Sequence, residues 1–330
     1  MMNKNNSIKR GVSLYSFQEE YFLRQMNLEE IIATSAKLGI QGIEIIGDQM
    51  IPDYPNVSEE FYEQWHDWMK KYNVTPTCLD MFLDWNIYKG RSMTFDEKVE
   101  SVRKDIIAAN RLGCSVIRVI ASTEPEVLAA VVPEAEKYNV RLGLEIHSPL
   151  HVEHERVQRW LATYEKVKSP YLGLVPDMGI FVKKFPRVIS DRWVRDGMKP
   201  EMAKFVVEAY NRHDGLQGLD DGLKKMGATP ADINKAMVAT HFVHSEPRRI
   251  LDIMPYIFHI HAKFYEMLPE YYEYSIPYEE IVPILIEGGY TGYLSSEYEG
   301  NRHIQDAFEV DSTEQVRRQQ TMFKQLLGEA

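Results

Sequence analysis

Glu145, Asp177, His261 and Glu297 each stand at the end of a short apolar run with the look of a β-strand. Two Glu, one Asp and one His make an oxygen-rich donor set with a single imidazole. Such a set suits Mn²⁺, Mg²⁺ or Co²⁺ better than a structural zinc. Residues 141–149 (RLGLEIHSP) add a base. Leu142, Leu144 and Ile146 alternate with Gly143, Glu145 and His147, so Glu145 and His147 share one face of a strand that Pro149 stops. An unperturbed imidazole titrates near neutrality, which suits His147 to general acid/base work beside a metal-holding carboxylate. That segment alone also fits a salt-bridged Glu and a solvent-facing His. Four ligating residues in register at four strand ends favour the metal reading, because chance would scatter them over both faces.

Other residues cluster around these. Lys263 follows His261 by two and can position a substrate oxygen. Glu299 lies just past Glu297 as a substrate or loop contact, and His303 is a candidate rim residue. Arg118 and Glu44 can line the same mouth or form an interior ion pair. His259 faces the same way as His261 but deeper, where it packs or hydrogen-bonds.

Positioning them requires a regular scaffold. Strand patterns fall at residues 9–17, 42–46, 74–81, 115–121, 140–147, 171–177, 257–263 and 293–298, with helical patterns between them, among them 125–138 and 230–244. Asn27, Ser58 and Thr229 are good helix N-caps, and Leu-Gly punctuation recurs at 37–39 and 111–113. Eight strand–helix units predict an α/β fold, a (β/α)8 TIM barrel formed by one domain over residues 1–330. Its chemistry belongs at the C-terminal ends of the strands. One connection breaks the rhythm: residues 178–256 predict a long helical insertion after strand six, a lid, specificity element or partner surface.

The net charge of −11 argues against a nucleic-acid partner. Cys78 and Cys114 sit in no metal or redox motif and read as small buried residues. The polar start MMNKNNSIKR and the lack of a long apolar run predict a cytoplasmic protein with no membrane span. No Walker, Rossmann or GxSxG pattern is present in the sequence.

The ordered motifs LEIH, PD, HIHAK and SEYE resemble those of the xylose-isomerase-like barrel superfamily. In that superfamily the last four strands hold a metal, which here implies Glu145, Asp177, His261 and Glu297. Typical epimerases carry a His where this chain has Ile180, and ketose 3-epimerases an Arg where it has Met267. The insertion, LEIH and the aromatic stretch GVSLYSFQEEYF are more similar to the larger (α) subunit of C-glycoside deglycosidases. That resemblance implies a lyase acting on 3-oxo-C-glucosides such as flavonoid C-glycosides. It also implies a divalent metal, Mn²⁺ first, and a small β subunit in a hetero-oligomer. Elimination from a 3-ketone needs a base, assigned to His147, and an acid for the departing carbon from Lys263, His303 or the insertion. The alternatives are a metal-dependent sugar isomerase or epimerase, and a non-catalytic scaffold barrel.

Overall fold

The computed structural model describes residues 7–213 and 215–329. Eight parallel strands form one sheet: β1 (Lys9–Ser13), β2 (Gly42–Ile46), β3 (Thr75–Met81), β4 (Val116–Val119), β5 (Arg141–Ile146), β6 (Leu172–Pro176), β7 (Ile260–Phe264) and β8 (Tyr293–Tyr298). Their order, β6-β5-β4-β3-β2-β1-β8-β7, wraps β8 onto β1. Bridges from Leu174 to Ile257 and from Asp177 to His261 join β6 to β7 and close the barrel. The chain is a (β/α)8 TIM barrel, as the sequence pattern predicts. Helices cover the outside, so the strands are buried on both faces.

Local sequence explains most boundaries. Asn27 caps Leu28–Lys37 reciprocally with Glu30, and Thr94 does the same with Glu97 for Phe95–Leu112. Gly113 ends the latter helix at φ +80°, the left-handed turn the Leu-Gly pair announces. Several expectations shift; the fourth strand spans only Val116–Val119, and the fifth ends at Ile146, so His147 lies just past it. The first strand stops at Ser13, because Leu14–Phe17 turns into a 3-10 segment that carries Tyr15 over the barrel mouth. The seventh begins at Ile260, since only one isolated bridge precedes it. The helix expected over 125–138 breaks into Pro125–Ala130 and Val132–Tyr138, because Pro133 has no N–H to continue the ladder. The helix expected over 230–244 ends at Ala236 and continues as the 3-10 turn Met237–His241.

Between β6 and β7 the chain forms helices Arg187–Arg195, Pro200–Asn211, Leu219–Lys225 and Pro230–Ala236, then a 3-10 run Pro247–Tyr256. Arg187–Arg195 is an amphipathic helix with Val188, Ile189 and Trp193 buried. The segment packs on an aromatic cluster of its own: Phe185 lies 5.1 Å from Trp193, 5.6 Å from Tyr210 and 5.5 Å from Phe242, centroid to centroid. Tyr210 also donates to the Val182 carbonyl at 2.8 Å, tying the helix back to the start of the same segment just after β6.

Barrel closure depends on close approach at Gly173. A Cβ there would lie 2.4 Å from the Tyr256 carbonyl oxygen and 2.5 Å from the Phe258 ring. The carbonyl is backbone and cannot swing aside, so overpacking by this one methyl costs about 1–3 kcal/mol. Gly173→Ala is expected to lower the melting temperature by a few degrees in a calorimetric scan. Gly197→Ala, where a Cβ meets nothing within 4 Å but φ is +95°, is the comparison that carries backbone strain without a clash.

Candidate active site

The barrel interior is layered by strand alternation. Cys78, Val116 and Val175 form a small apolar layer with Phe258 against it. Both cysteines are free and buried, as their contexts predict. One pleat nearer the C-terminal ends the layer becomes charged: Glu44, Asp80, Arg118, Glu145, His261 and Glu297 are all buried.

His261 is the hub. Its Nδ1 lies 3.0 Å from Glu145 Oε1 and 3.5 Å from Glu297 Oε1. Its Nε2 lies 3.1 Å from Glu44 Oε1 and 3.8 Å from Asp80 Oδ1. Glu145, His261 and Glu297 each offer a ligand atom within 4.8 Å of the others, and Glu297 Oε2 is buried without a hydrogen-bond partner. Three buried donors of this type with an unsatisfied oxygen fit a divalent cation.

Asp177, the fourth residue of the expected set, stands beside this trio. Its Oδ1 accepts the Gly179 N–H at 2.6 Å and its Oδ2 faces Lys263 Nζ at 2.7 Å. Lys263 Nζ also lies 3.6 Å from Glu297 Oε2 and 3.4 Å from Glu299 Oε2. The register dictates this, because Lys263 and Glu297 are direct neighbours across β7 and β8.

Charge sets the electrostatics. Burial by itself would raise the Glu145 carboxyl, but Arg118 and His261 overcome it and hold the group well below the usual carboxylate range. Burial pushes Glu297 up to about 7, helped by Asp177 and Glu145 and opposed by Lys263 and His261. Burial also drives Asp80 upward, against the pull of Arg118. Arg118 is engaged inside this layer. Its Nε donates to Asp80 at 3.1 Å, its Nη1 lies 3.9 Å from Glu145, and its guanidinium sits over the Phe82 ring.

Above the charged layer opens a cavity of about 220 Å³ lined by His147, Asp177, Lys263, Glu299, His303 and, from the segment between β6 and β7, His241. Arg118 is not among its lining residues. His147 Nδ1 is 2.7 Å from the Ser148 carbonyl. A carbonyl only accepts, so Nδ1 carries the proton and Nε2 keeps its lone pair. Glu299 accepts from Tyr15 at 3.0 Å. His303 is held by the Arg195 side chain, which donates to its carbonyl at 2.5 Å and pairs with Asp306 at 2.8 Å. Burial lowers the basicity of the His303 ring.

Residues missed from the sequence are Asp80, Tyr15 and His241. Asp80 sits at a strand end like the others and was legible by the same rule. Tyr15 and His241 lie on 3-10 turns where the sequence pattern predicts a strand (9–17) and a helix (230–244), so neither was aimed at the mouth by that reading.

The xylose isomerase-like TIM barrel family matches residues 32–326. The chain is 34% identical over 325 residues to a C-glycoside deglycosidase alpha subunit of Arthrobacter globiformis, covering 93% of this chain and 89% of that one. The chain belongs to this family. Among C-glycoside deglycosidase alpha subunits and their kin it is also 29% identical to the 3'-dehydrocarminate deglycosidase alpha subunit of a Microbacterium species, over 88% of each chain. The L-ribulose 3-epimerase structure shares the fold, with a TM-score of 0.59 at 14% identity, over 98% of this chain and 95% of that one. In this chain Ile180 and Met267, the positions where the sequence departs from the epimerase pattern, are buried in the hydrophobic core and do not line the cavity.

If Glu145, Asp177, His261 and Glu297 together hold a divalent ion, Asp177→Ala is expected to strip it from the purified protein. The loss of affinity should exceed the roughly 10–100-fold that loss of an outer-sphere partner costs. Elemental analysis after gel filtration is the measurement, with Asp84→Ala, on the exposed loop after β3, as control.

Proposed function

We propose that the chain is the catalytic subunit of a lyase that cleaves the carbon–carbon bond between a 3-oxo-glucosyl unit and its aromatic aglycone. The observation that carries this reading is the convergence of His147, His241, Lys263 and Glu299 on one cavity beside the Glu145–His261–Glu297 trio. The relatives' names support the substrate class: one is a C-glycoside deglycosidase, the other acts on a 3'-dehydro compound.

A carbon–carbon bond offers no leaving oxygen to protonate, so the two-carboxylate logic of glycosidases does not apply. A ketone at C3 makes the C2 proton acidic. His147 Nε2 removes that proton, the electron pair forms the C1–C2 double bond, and the C1–aryl bond breaks. The departing aromatic carbon takes up a proton, so the products are free aglycone and an unsaturated 1,5-anhydro sugar. A divalent cation, Mn²⁺ first and Mg²⁺ or Co²⁺ next, held by Glu145, Asp177, His261 and Glu297, would supply Lewis-acid polarisation of the 3-oxo group. Binding it would require Lys263 to leave Asp177 and turn its ammonium to a sugar oxygen. Glu299 and His303 would bind sugar hydroxyls. Arg118 would serve beneath them by holding Glu145 ionised.

The acid for the aryl carbon is His241. His303 is deprived of basicity by burial and is a poor proton carrier, whereas His241 reaches the cavity from the solvent side. The cavity is smaller than the roughly 300–1,000 Å³ typical of drug-sized ligands, so it fits the sugar and leaves the aglycone at the open rim. Residues 178–256 then act as lid and partner surface in the single barrel domain. No helix among the described residues is long and apolar enough to cross a membrane, and we place the protein in the cytoplasm.

Offered a 3-oxo-C-glucosyl flavonoid with Mn²⁺, the co-expressed subunits should release free flavonoid on chromatography. His147→Ala should lower kcat by about 10²–10⁴-fold. His241→Asn should lower kcat by a comparable factor on that substrate but little on a 3-oxo glucoside of 4-nitrophenol, whose leaving oxygen departs without a proton. Epimerised ketose without aglycone release would overturn the lyase reading.

The relatives' designation as alpha subunits supports a small β subunit as partner. Phe308, 60% exposed, lies with Arg195 of the insertion at 5.3 Å and is a natural anchor for it. Phe308→Asp should abolish co-elution of the two subunits in gel filtration while leaving the melting temperature of the isolated chain unchanged.

A further inference from the structure

Glu44, on β2, takes no part in the cavity and is fully buried beneath it. Its two oxygens face two imidazoles of β7. Oε2 accepts from His259 Nε2 at 2.5 Å, and Oε1 lies 3.1 Å from His261 Nε2. The second contact is close but badly aligned, so Glu44 Oε1 and His261 Nε2 are both buried polar atoms without a hydrogen-bond partner. Meanwhile His261 Nδ1 forms its hydrogen bond with Glu145 Oε1, at 3.0 Å. An unsatisfied buried pair at this distance asks for a state in which it is satisfied.

That state follows from imidazole chemistry. A ring that gives its Nδ1 lone pair to a cation must carry its proton on Nε2. The proton is then on the nitrogen that lies 3.1 Å from Glu44 Oε1, the acceptor nearest to it. Resting on the metal reading above, we infer that Glu44 is the positioning residue for His261. It accepts the Nε2–H, selects Nδ1 as the ligating nitrogen and fixes the ring plane against the Glu145–Glu297 pair. His259 completes the device by occupying the other oxygen, which stops the carboxylate from rotating away.

The same atoms invite a competing arrangement, a second cation among Glu44, Asp80 and His261, whose ligand atoms also lie within 4.8 Å of one another. The Arg118 guanidinium, donating to Asp80 Oδ1 at 3.1 Å, disfavours it by putting a fixed positive charge on that ligand.

The test uses the full chain with Mn²⁺ and Mg²⁺ alone. Glu44→Gln keeps the volume but offers one acceptor and one donor to two imidazole N–H groups, and Glu44→Met offers none. Mn²⁺ affinity, read from the free-ion electron paramagnetic resonance signal, should fall about 10-fold for Glu44→Gln and up to about 100-fold for Glu44→Met. In the Mg²⁺-loaded wild type with ¹⁵N-labelled histidine, His261 should show an exchange-protected proton on Nε2 that Glu44→Met loses. Wild-type affinity in Glu44→Met, provided circular dichroism shows it folded, would overturn the proposal, as would a protonated Nδ1 in the loaded wild type. Loss of two equivalents of cation from Glu44→Gln would overturn it in favour of the second site. A wild-type chain that binds neither cation would overturn the metal reading itself, and this proposal with it.

Discussion

The structure depends on keeping charge inside a barrel whose walls are apolar. Glu44, Asp80, Glu145, Asp177 and Glu297 are each buried to 6% exposure or less. Taking a carboxylate out of water costs several kcal/mol unless a cation or donors replace the solvent. Arg118, His261 and Lys263 supply that compensation, and each serves more than one acid. The acids still outnumber the cations. Oxygens on Glu44, Asp80 and Glu297 are left without hydrogen-bond partners, and burial, helped by Asp177 and Glu145, raises Glu297 to about 7. A layer so rich in acid could hold a divalent cation, whereas replacing such buried charges by well-packed apolar residues is often neutral or stabilising.

The layers beneath and above follow from the same geometry. Strand alternation puts Cys78, Val116 and Val175 one pleat below the charges, sealing them from the N-terminal face. One pleat above, the strands end and their loops take over. Tyr15, His147, Glu299 and His303 all come from the first few residues past a strand, where the backbone is free of the ladder.

The segment between β6 and β7 is anchored by its own aromatic cluster and by Arg195 to Asp306. It therefore presents His241 to the cavity from a packed support. Gly300 shows how tightly the rim is built: a Cβ there would fall 1.9 Å from the Tyr265 carbonyl, so the turn after Glu299 can only be glycine. The rim and the segment between β6 and β7 thus converge on the loop that carries Glu299 and His303.

The sequence by itself determined the eight strands, their parallel order as a barrel, and the strand-end residues Glu145, Asp177, His261 and Glu297. It could do so because strand periodicity is local, and a period of two assigns each side chain to a face without reference to partners. The strand-end rule also places Glu44 and Arg118, but not what they touch. Only the tertiary structure decided that Arg118 holds Asp80 and Glu145 inside the barrel, that Lys263 bridges Asp177 and Glu297, and that Glu44 faces both imidazoles of β7. Those pairings depend on inter-strand register and barrel closure, which join residues more than 200 positions apart, such as Glu44 and His259. Tyr15 and His241 were missed for a related reason: the sequence pattern extends a strand over 9–17 and a helix over 230–244, and only tertiary packing turns both ends into 3-10 segments that aim these side chains at the mouth.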